Sequence, residues 1–138
     1  MGLKKIHKLE KAVIGILNII GWDLEWTGKD FTSYDAKGKT PKGFDCVIEM
    51  KFRKKYYEEK MLEKHKYDAL MALDKSIVKL YFINDPKGNF MYYLNELKMP
   101  EPVELYCPDT TIWTKKRLNK LVYLLKENDA SIININSD

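Results

Sequence analysis

The sequence predicts an α/β domain, and three stretches of the chain support that prediction. Residues 44–53 alternate apolar and polar side chains with a period of two, as a β-strand with one buried face does. Residues 4–20 carry apolar side chains at helical spacing, and Gly21 follows as a natural stop. Residues 77–83 are nearly all apolar, which is typical of a strand inside a sheet.

Length and charge bound what the chain can be. It has 138 residues, which is enough for one domain that buries a core of its own. Its net charge of +4 permits a polyanion as partner without requiring one. We expect one domain over residues 1–138, with a core over about residues 4–94 and a C-terminal extension over about residues 95–138.

Some classes of chemistry and location are disfavoured. Cys46 and Cys107 are far apart and lack the spacing of metal ligands, so two reduced thiols are expected. His7 and His65 are the only histidines, which argues against zinc catalysis. The basic and then apolar N-terminus imitates a signal sequence, but Asn18 interrupts the run, which is also too short to span a bilayer. We expect a cytoplasmic protein, of a bacterium or a phage-infected host cell, with no membrane partner.

One carboxylate falls on the apolar side of the predicted first helix. At about 100° per residue, Glu10 lies among the apolar residues of that side, which are Ile6, Val13, Ile14 and Leu17. Glu10 either lies inside or at the edge of the buried face, or is favoured by the helix dipole and turns to water. The pattern leaves both alternatives open.

The segment before the charged strand predicts a hairpin. Residues 22–26 and 30–36 are expected as short strands, and residues 37–43 as a connection, because glycine and proline punctuate them. If this hairpin is symmetric about Lys42, Asp35 lies opposite Glu49. Ser33 then lies opposite Lys51, and the Cβ atoms of such pairs are about 5 Å apart.

The charged strand carries an acid and a base two residues apart on one face. Its apolar face, expected to be the buried one, consists of Cys46, Ile48, Met50 and Phe52. Its other face consists of Asp45, Val47, Glu49, Lys51 and Arg53. Glu49 and Lys51 in this arrangement could hold a divalent cation and a water beside a phosphate. The alternative is a solvated strand face with an incidental ion pair.

Two aspartates are candidates to work with Glu49. Asp45 shares its face but lies four residues away, about 13 Å along the strand, which is too far for both carboxylates to bind one ion. Asp35 can reach across the hairpin. Asp45 is therefore expected to be an exposed charge near the hairpin end, unless a bulge brings it back.

The rest of the chain predicts two further helices and several strands. A helix is expected over about residues 58–75, with an apolar stripe and surface lysines at Met61, Leu62, Leu70, Leu73, Lys60, Lys64 and Lys66. A turn at residues 85–89 should join the strand at 77–83 to one at 90–94. Thr114 should cap a helix through Leu118, Leu121, Val122 and Leu125, and residues 131–135 are expected as an edge strand.

This order of elements and charges resembles the PD-(D/E)XK nuclease superfamily. The resemblance is carried by Glu10 on the first helix, Asp35, and Glu49-Met50-Lys51, with thirteen residues between Asp35 and Glu49. The spacing and size are most similar to Holliday junction resolvases of the archaeal type and to small phage-encoded nucleases. The resemblance covers about residues 4–83. Tyr34 stands where the family name has proline.

The resemblance implies a restriction-endonuclease-like three-layer core, in which a mixed central sheet is flanked by helices, with a C-terminal extension. It also implies metal-assisted hydrolysis of phosphodiester bonds. Asp35, Glu49 and the backbone carbonyl of Met50 would hold Mg²⁺ or Mn²⁺. Glu10 would bind a second ion, and Lys51 would position the attacking water and offset charge on the phosphorus centre.

Further implications concern the partner. Lys66 matches the place where many relatives carry a supporting Lys or Gln near the scissile phosphate, and Arg53 is a candidate for contact with nucleic acid. DNA is the implied partner, and cleavage of a junction would need a homodimer. One alternative is a non-catalytic nucleic-acid-binding module on the same fold. The other is a small adaptor that binds proteins through Trp22, Trp26 and Trp113.

Overall fold

The computed structural model describes residues 2–30, 32–108 and 117–132. The helices are α1 (Leu3–Ile19) and α2 (Lys64–Met71), with a 3-10 turn at Glu127–Asp129. The strands are β1 (Asp23–Trp26), β2 (Ala36–Lys39), β3 (Asp45–Phe52), β4 (Glu59–Glu63), β5 (Val78–Asp85), β6 (Gly88–Tyr93), β7 (Val103–Pro108), β8 (Arg117–Lys126) and β9 (Ser131–Ile132). No helix among these residues is long and apolar enough to cross a membrane.

The described residues form two sheets. The larger one has six strands in the order β1-β2-β3-β5-β6-β9. Its β3 and β5 run parallel and its other neighbours antiparallel, so the sheet is mixed as expected. The smaller sheet has the order β4-β8-β7 and is antiparallel throughout.

Strand β3 lies at the centre of the larger sheet and is covered on both faces. Met50 on one face packs in a core with Ile14 and Leu17 of α1. Val47 on the other face packs in a second core with residues of α2, β4 and β8, namely Leu70, Leu62, Tyr123 and Leu125. The prediction of a single buried face is therefore wrong, because α2 and the smaller sheet cover the charged face. The molecule has three layers, with the larger sheet in the middle.

The N-terminal predictions are confirmed for α1, within one residue at each end, and for β1. The second strand is displaced from its predicted place, since β2 is Ala36–Lys39 and only residues 40–44 turn. Gly38 misled the prediction: it lies inside the strand, where a Cβ atom would come within 1.9 Å of the Asp23 carbonyl oxygen. Glycine is needed there because β1 passes so close.

The predicted hairpin register is confirmed. Ala36 pairs with Ile48, and this register continues to Lys39 opposite Asp45 without a bulge. The ladder ends at Ala36: Asp35 precedes β2 and donates its backbone N–H to the Ile48 carbonyl at 2.9 Å, so the predicted pairing of Asp35 with Glu49 is not part of the ladder, although the two carboxylates interact electrostatically. The predicted pairing of Ser33 with Lys51 is wrong, because β2 begins at Ala36.

The helix expected over residues 58–75 is wrong in its first part. Glu59–Glu63 is strand β4, and α2 covers only Lys64–Met71. Met61 and Leu62 pair with Leu124 and Tyr123 of β8, and this tertiary pairing decides the conformation. The strand at 77–83 and the following hairpin to 90–94 are confirmed, with β5 two residues longer than predicted at its end.

The C-terminal helix is also wrong. Thr114 lies outside the described residues, and Arg117–Lys126 is strand β8 instead. Val122 and Leu125 are buried in it, whereas Leu121 is half exposed. The start of the predicted edge strand is confirmed as β9, and residues 133–135 lie outside the described part. The C-terminal segment therefore contributes β8 to the second core.

A buried ion pair holds β4 beside the larger sheet. Lys60, expected on a helix surface, is 3% exposed, and its Nζ lies 2.7 Å from Asp85 Oδ2 at the end of β5. The same ammonium donates to the Tyr57 carbonyl at 2.6 Å. Since β4 leads directly into α2, this pair helps to fix the position of α2.

Removing one partner of this pair should destabilise the fold strongly. Asp85→Ala removes the short ion pair of the buried Lys60 ammonium and leaves it the Tyr57 carbonyl at 2.6 Å and the more distant Glu127 carboxylate at 3.8 Å, which should lower the free energy of unfolding by about 3 kcal/mol. The double variant Lys60→Met with Asp85→Leu should recover most of that loss, because no charge stays buried. Urea denaturation measures both. Lys39→Met, which breaks the exposed Lys39–Asp45 pair of equal 2.7 Å length, is the matched control and should change stability far less.

If Asp85→Ala unfolds at the same urea concentration as Lys39→Met, the buried pair does not hold β4 in place.

Candidate functional site

A pair of carboxylates lies where β2 ends beside the middle of β3. Asp35, the residue before β2, donates its backbone N–H to the Ile48 carbonyl at 2.9 Å. Its carboxylate Oδ2 accepts the Met50 backbone N–H at 2.8 Å. Beyond Ala36 no β2 residue is left to pair with β3, so the Asp35 side chain takes the hydrogen bond that a strand neighbour would otherwise make. Asp35 is thereby held against β3 next to Glu49.

Glu49 is buried in this place. It is 8% exposed, and Lys66 Nζ on α2 lies 3.4 Å from its Oε1. Burial raises the pKa of Glu49 to about 7, with a further contribution from the negative charge of Asp35. Burial also raises the pKa of Asp35, although the Met50 hydrogen bond opposes it. The two carboxylates repel each other in a poorly hydrated space, and a bound cation would reduce that repulsion.

Glu10 belongs to the same region, and the alternative that turns it to water is wrong. It is 4% exposed and accepts a hydrogen bond from Trp26 Nε1 at 2.9 Å. Burial raises the pKa of Glu10, the Trp26 hydrogen bond opposes it, and the charge of Asp35 adds to the rise. Asp35 therefore interacts electrostatically with Glu49 on one side and with Glu10 on the other.

Two lysines bring positive charge to the carboxylates. Lys51 follows Glu49 on the same face of β3 and is half-buried. Burial lowers the pKa of Lys51, and the positive charges of Lys66 and Arg53 lower it further. Lys66 extends from α2 to within 3.4 Å of Glu49 Oε1. Arg53 lies just past the end of β3, where its backbone N–H donates to the Asn84 carbonyl at 2.8 Å, and it has no ion pair among the described residues.

Asp45 is placed at the opposite end of β3 from this cluster. Its side chain is 68% exposed and pairs with Lys39 at 2.7 Å. The ladder between β2 and β3 has no bulge there. Asp45 is thus the exposed charge that the strand geometry predicted.

The sequence analysis did not predict a further group of charged residues next to Lys66. Glu63, the last residue of β4, lies 3.0 Å from Lys120 of β8 and 3.9 Å from Lys66. His65 Nε2 lies 2.8 Å from the other oxygen of Glu63. Three hydrogen-bonding or charged neighbours outweigh burial and lower the pKa of Glu63. Glu63 and Lys120 both lie in segments that the sequence predicted as helices. They come together through the pairing of β4 with β8, which no local sequence pattern reveals.

The donor set suits a hard divalent cation. Carboxylate and carbonyl oxygens are the ligands that Mg²⁺ and Mn²⁺ prefer. Among the described residues, no three His, Cys, Asp or Glu side chains are grouped as a metal cluster. A cation at Asp35 and Glu49 would therefore need a backbone ligand and water. The carbonyl of Met50 qualifies, because the N–H and C=O of one strand residue point to the same side and the N–H of Met50 points to Asp35.

The fold has a counterpart among solved structures. The chain is similar to Archaeoglobus fulgidus Hjc, a Holliday junction resolvase from an archaeal hyperthermophile, with a TM-score of 0.59 at 12% sequence identity. The similarity covers 91% of this chain and 95% of that one. The chain has a restriction-endonuclease-like fold. This fold class was predicted and is confirmed; no family model matches the chain, and the comparison with curated proteins finds no match.

The raised pKa of Glu49 should appear in the pH dependence of stability. An acid whose folded pKa is raised binds its proton more tightly when folded, so it stabilises the fold below its ordinary value of 4.5. That contribution is lost as pH rises to about 7, and amounts to about 3 kcal/mol. In EDTA, the wild type should lose this free energy of unfolding as pH rises over this range. Glu49→Gln should keep it, because glutamine does not titrate.

Urea unfolding at several pH values measures that difference. Asp45→Asn, on the same strand but exposed, should follow the wild type throughout. Parallel pH profiles of wild type and Glu49→Gln would show that the Glu49 carboxylate is not desolvated.

Proposed function

We propose that the chain is a metal-dependent endonuclease that hydrolyses phosphodiester bonds of DNA, as a member of the PD-(D/E)XK superfamily. One observation carries the proposal: the Asp35 carboxylate is held across β3 by the Met50 N–H, beside the buried Glu49. A buried pair of acids is costly to maintain for stability alone. Its position on a fold shared with a junction resolvase supports a catalytic purpose.

Asp35, Glu49 and the Met50 carbonyl would hold Mg²⁺ or Mn²⁺, and Glu10 would serve a second ion. Such an ion, when bound, lowers the pKa of water and draws charge from a phosphoryl oxygen. It would also favour the ionised form of Glu49, whose pKa burial has raised.

The lysines of the chain have separate roles in this proposal. Lys51 lies on the same face as Glu49, where its ammonium would orient the attacking water and stabilise the hydroxide form. Its lowered pKa makes it a better proton donor than an ordinary lysine. Lys66, 3.4 Å from Glu49, would offset the charge that develops on the phosphorus centre.

Branched DNA is the proposed substrate, because the structural counterpart is a Holliday junction resolvase. Resolution of a four-way junction needs two cuts, so a homodimer is proposed with it. A non-catalytic nucleic-acid-binding module is the second candidate, and cleavage separates the two. The adaptor is less favoured, because Trp22 and Trp26 pack against the first core instead of standing free on the surface.

Cleavage assays test the proposal. Labelled four-way-junction, flap, duplex and single-stranded DNA are incubated with Mg²⁺, Mn²⁺ or EDTA. We expect metal-dependent cutting by the wild type, and a loss of at least about 10²-fold in Glu49→Gln and in Lys51→Met. Asp45→Asn, an acid on the same strand outside the site, should cut like the wild type.

Binding of DNA by the wild type without cutting in any metal would replace the nuclease by the non-catalytic module. Cutting that survives both substitutions would move the active site elsewhere.

Lys66 should affect the pH dependence of cutting through Glu49. Its positive charge lowers the pKa of Glu49, so Lys66→Met should raise that pKa further. If cutting requires ionised Glu49, the acidic limb of the pH–rate profile should move to higher pH, and the loss of rate should be larger at pH 6 than at pH 9. The matched control is Lys64→Met on the same helix, because Lys64 pairs with Asp68 instead. A uniform loss at all pH values would contradict the coupling.

A further inference from the structure

A basic pocket lies beside the candidate site, on the N-terminal half of α1. It is a shallow depression, widely open to solvent, with a volume of about 470 Å³. Its walls come from α1, Trp26 of β1 and the turn after β1, and the lining residues are Leu3, Lys4, His7, Lys8, Lys11, Trp26 and Lys29. Lys4, Lys8 and Lys11 are spaced four and three residues apart, so they project from one side of the helix. Positive charge is therefore concentrated in a concave space.

This positive charge is not balanced by carboxylates. No Asp or Glu lines the pocket. Lys4, Lys8, Lys11 and Lys29 form no ion pair among the described residues. Other lysines do form such pairs, namely Lys37, Lys39, Lys60, Lys64, Lys66 and Lys120. Other exposed lysines, such as Lys5, Lys42 and Lys98, also form no ion pair among the described residues, so what distinguishes these four is that they line one concave space together, which suits an anion.

Trp26 forms a fixed wall between the pocket and the carboxylates. Its Nε1–H donates to Glu10 at 2.9 Å, and Lys11 Nζ lies 4.2 Å from the ring centroid. The ring of His7 meets it edge to face, with centroids 5.0 Å apart. Gly28 packs so tightly against the indole that a Cβ atom would lie 2.5 Å from it. Contacts with Glu10, Lys11, His7 and Gly28 thus fix the position of the Trp26 indole.

His7 joins the pocket to the site. It lines the pocket and also interacts electrostatically with both Glu10 and Asp35, lowering the pKa of each carboxyl. Because Trp26 lines the pocket and also donates to Glu10, the pocket adjoins the carboxylates, and we expect a phosphate that neighbours one bound at Asp35 to reach it.

We propose that this pocket binds a backbone phosphate of the substrate DNA strand, flanking the phosphate that is cut. The proposal rests on the proposed function. Lysine ammonium groups bind phosphate oxygens as point charges, and contacts of this kind position a nucleic acid without reading its sequence. The pocket would thus fix the strand relative to Glu10, Asp35 and Glu49.

An anionic membrane surface offers the same phosphate chemistry but fits less well. A helix that binds a membrane inserts its apolar face into the lipid. The apolar face of α1 is instead packed in the first core, where Ile14 and Leu17 are 6% and 1% exposed. The mainly exposed large apolar residues of α1, Leu3 and Ile19, lie at its two ends and form no continuous apolar face, whereas the lysines on the pocket side suit a polyanionic strand.

The test compares two triple variants of equal charge. Lys4, Lys8 and Lys11 are changed to Gln in one, and the exposed Lys42, Lys75 and Lys98, away from the pocket, are changed to Gln in the other. Fluorescence anisotropy in EDTA measures binding of a labelled four-way junction and a duplex at several salt concentrations. We expect the pocket variant to bind at least about tenfold more weakly than the control variant, and to lose about 0.9 in the salt slope per phosphate contact removed.

Single variants keep the test informative if a triple variant unfolds. Lys8→Gln should weaken binding, whereas Lys5→Gln, on the same helix outside the pocket lining, should not. Circular dichroism confirms that each variant is folded.

The outcomes separate this inference from the proposed function. Cutting by the wild type, with equal binding by the two triple variants, would overturn the pocket and leave the nuclease. Pocket-dependent binding without cutting in any metal would keep the pocket and overturn the nuclease. Loss of binding to phosphatidylserine vesicles with unchanged DNA binding would assign the pocket to a membrane and overturn the inference.

Discussion

The burial of β3 on both edges and both faces is the constraint on which the other features depend. β3 pairs with β2 and β5, and cores on either side cover it. A charged residue in the middle of such a strand, unlike Asp45 at its exposed start, is kept from water, so its carboxylate needs partners inside the protein. Glu49 is held in this way, with Lys66 Nζ 3.4 Å from its Oε1. Where β2 ends, the Asp35 carboxylate accepts the Met50 N–H of β3 in place of a strand neighbour. The end of β2 therefore positions Asp35 next to Glu49.

The elements around β3 each deliver one charge to the same place. α1 brings Glu10, fixed by Trp26, and α2 brings Lys66. The position of α2 depends in turn on β4, which the Lys60–Asp85 pair holds beside β5. The smaller sheet adds Glu63 and Lys120 behind Lys66. The C-terminal segment is thus joined to the site through β8.

Sequence reasoning succeeded where local chemistry decides the structure and failed where distant pairing does. The register that pairs Ala36 with Ile48, and so brings Asp35 near Glu49, follows from a short connection and a period of two, and both can be read along the chain. Leu121, Val122 and Leu125 have helical spacing, but in β8 the neighbouring Val122 and Tyr123 are both buried while Leu121 is half exposed. The strand therefore lacks a clean alternation, and periodicity could not distinguish it from a helix. The same ambiguity hid β4 and with it the position of Glu63.

Titration calorimetry of Mn²⁺ binding, with proton release measured in buffers of different ionisation enthalpy, tests the central claim that Asp35 and Glu49 form a cation site. At pH 6 Glu49 is mostly protonated, because its pKa is about 7, so binding should release close to one proton per ion. Glu49→Gln should abolish this release and weaken binding. Absence of Mn²⁺ binding, or binding that neither releases protons nor depends on Glu49, would contradict the account.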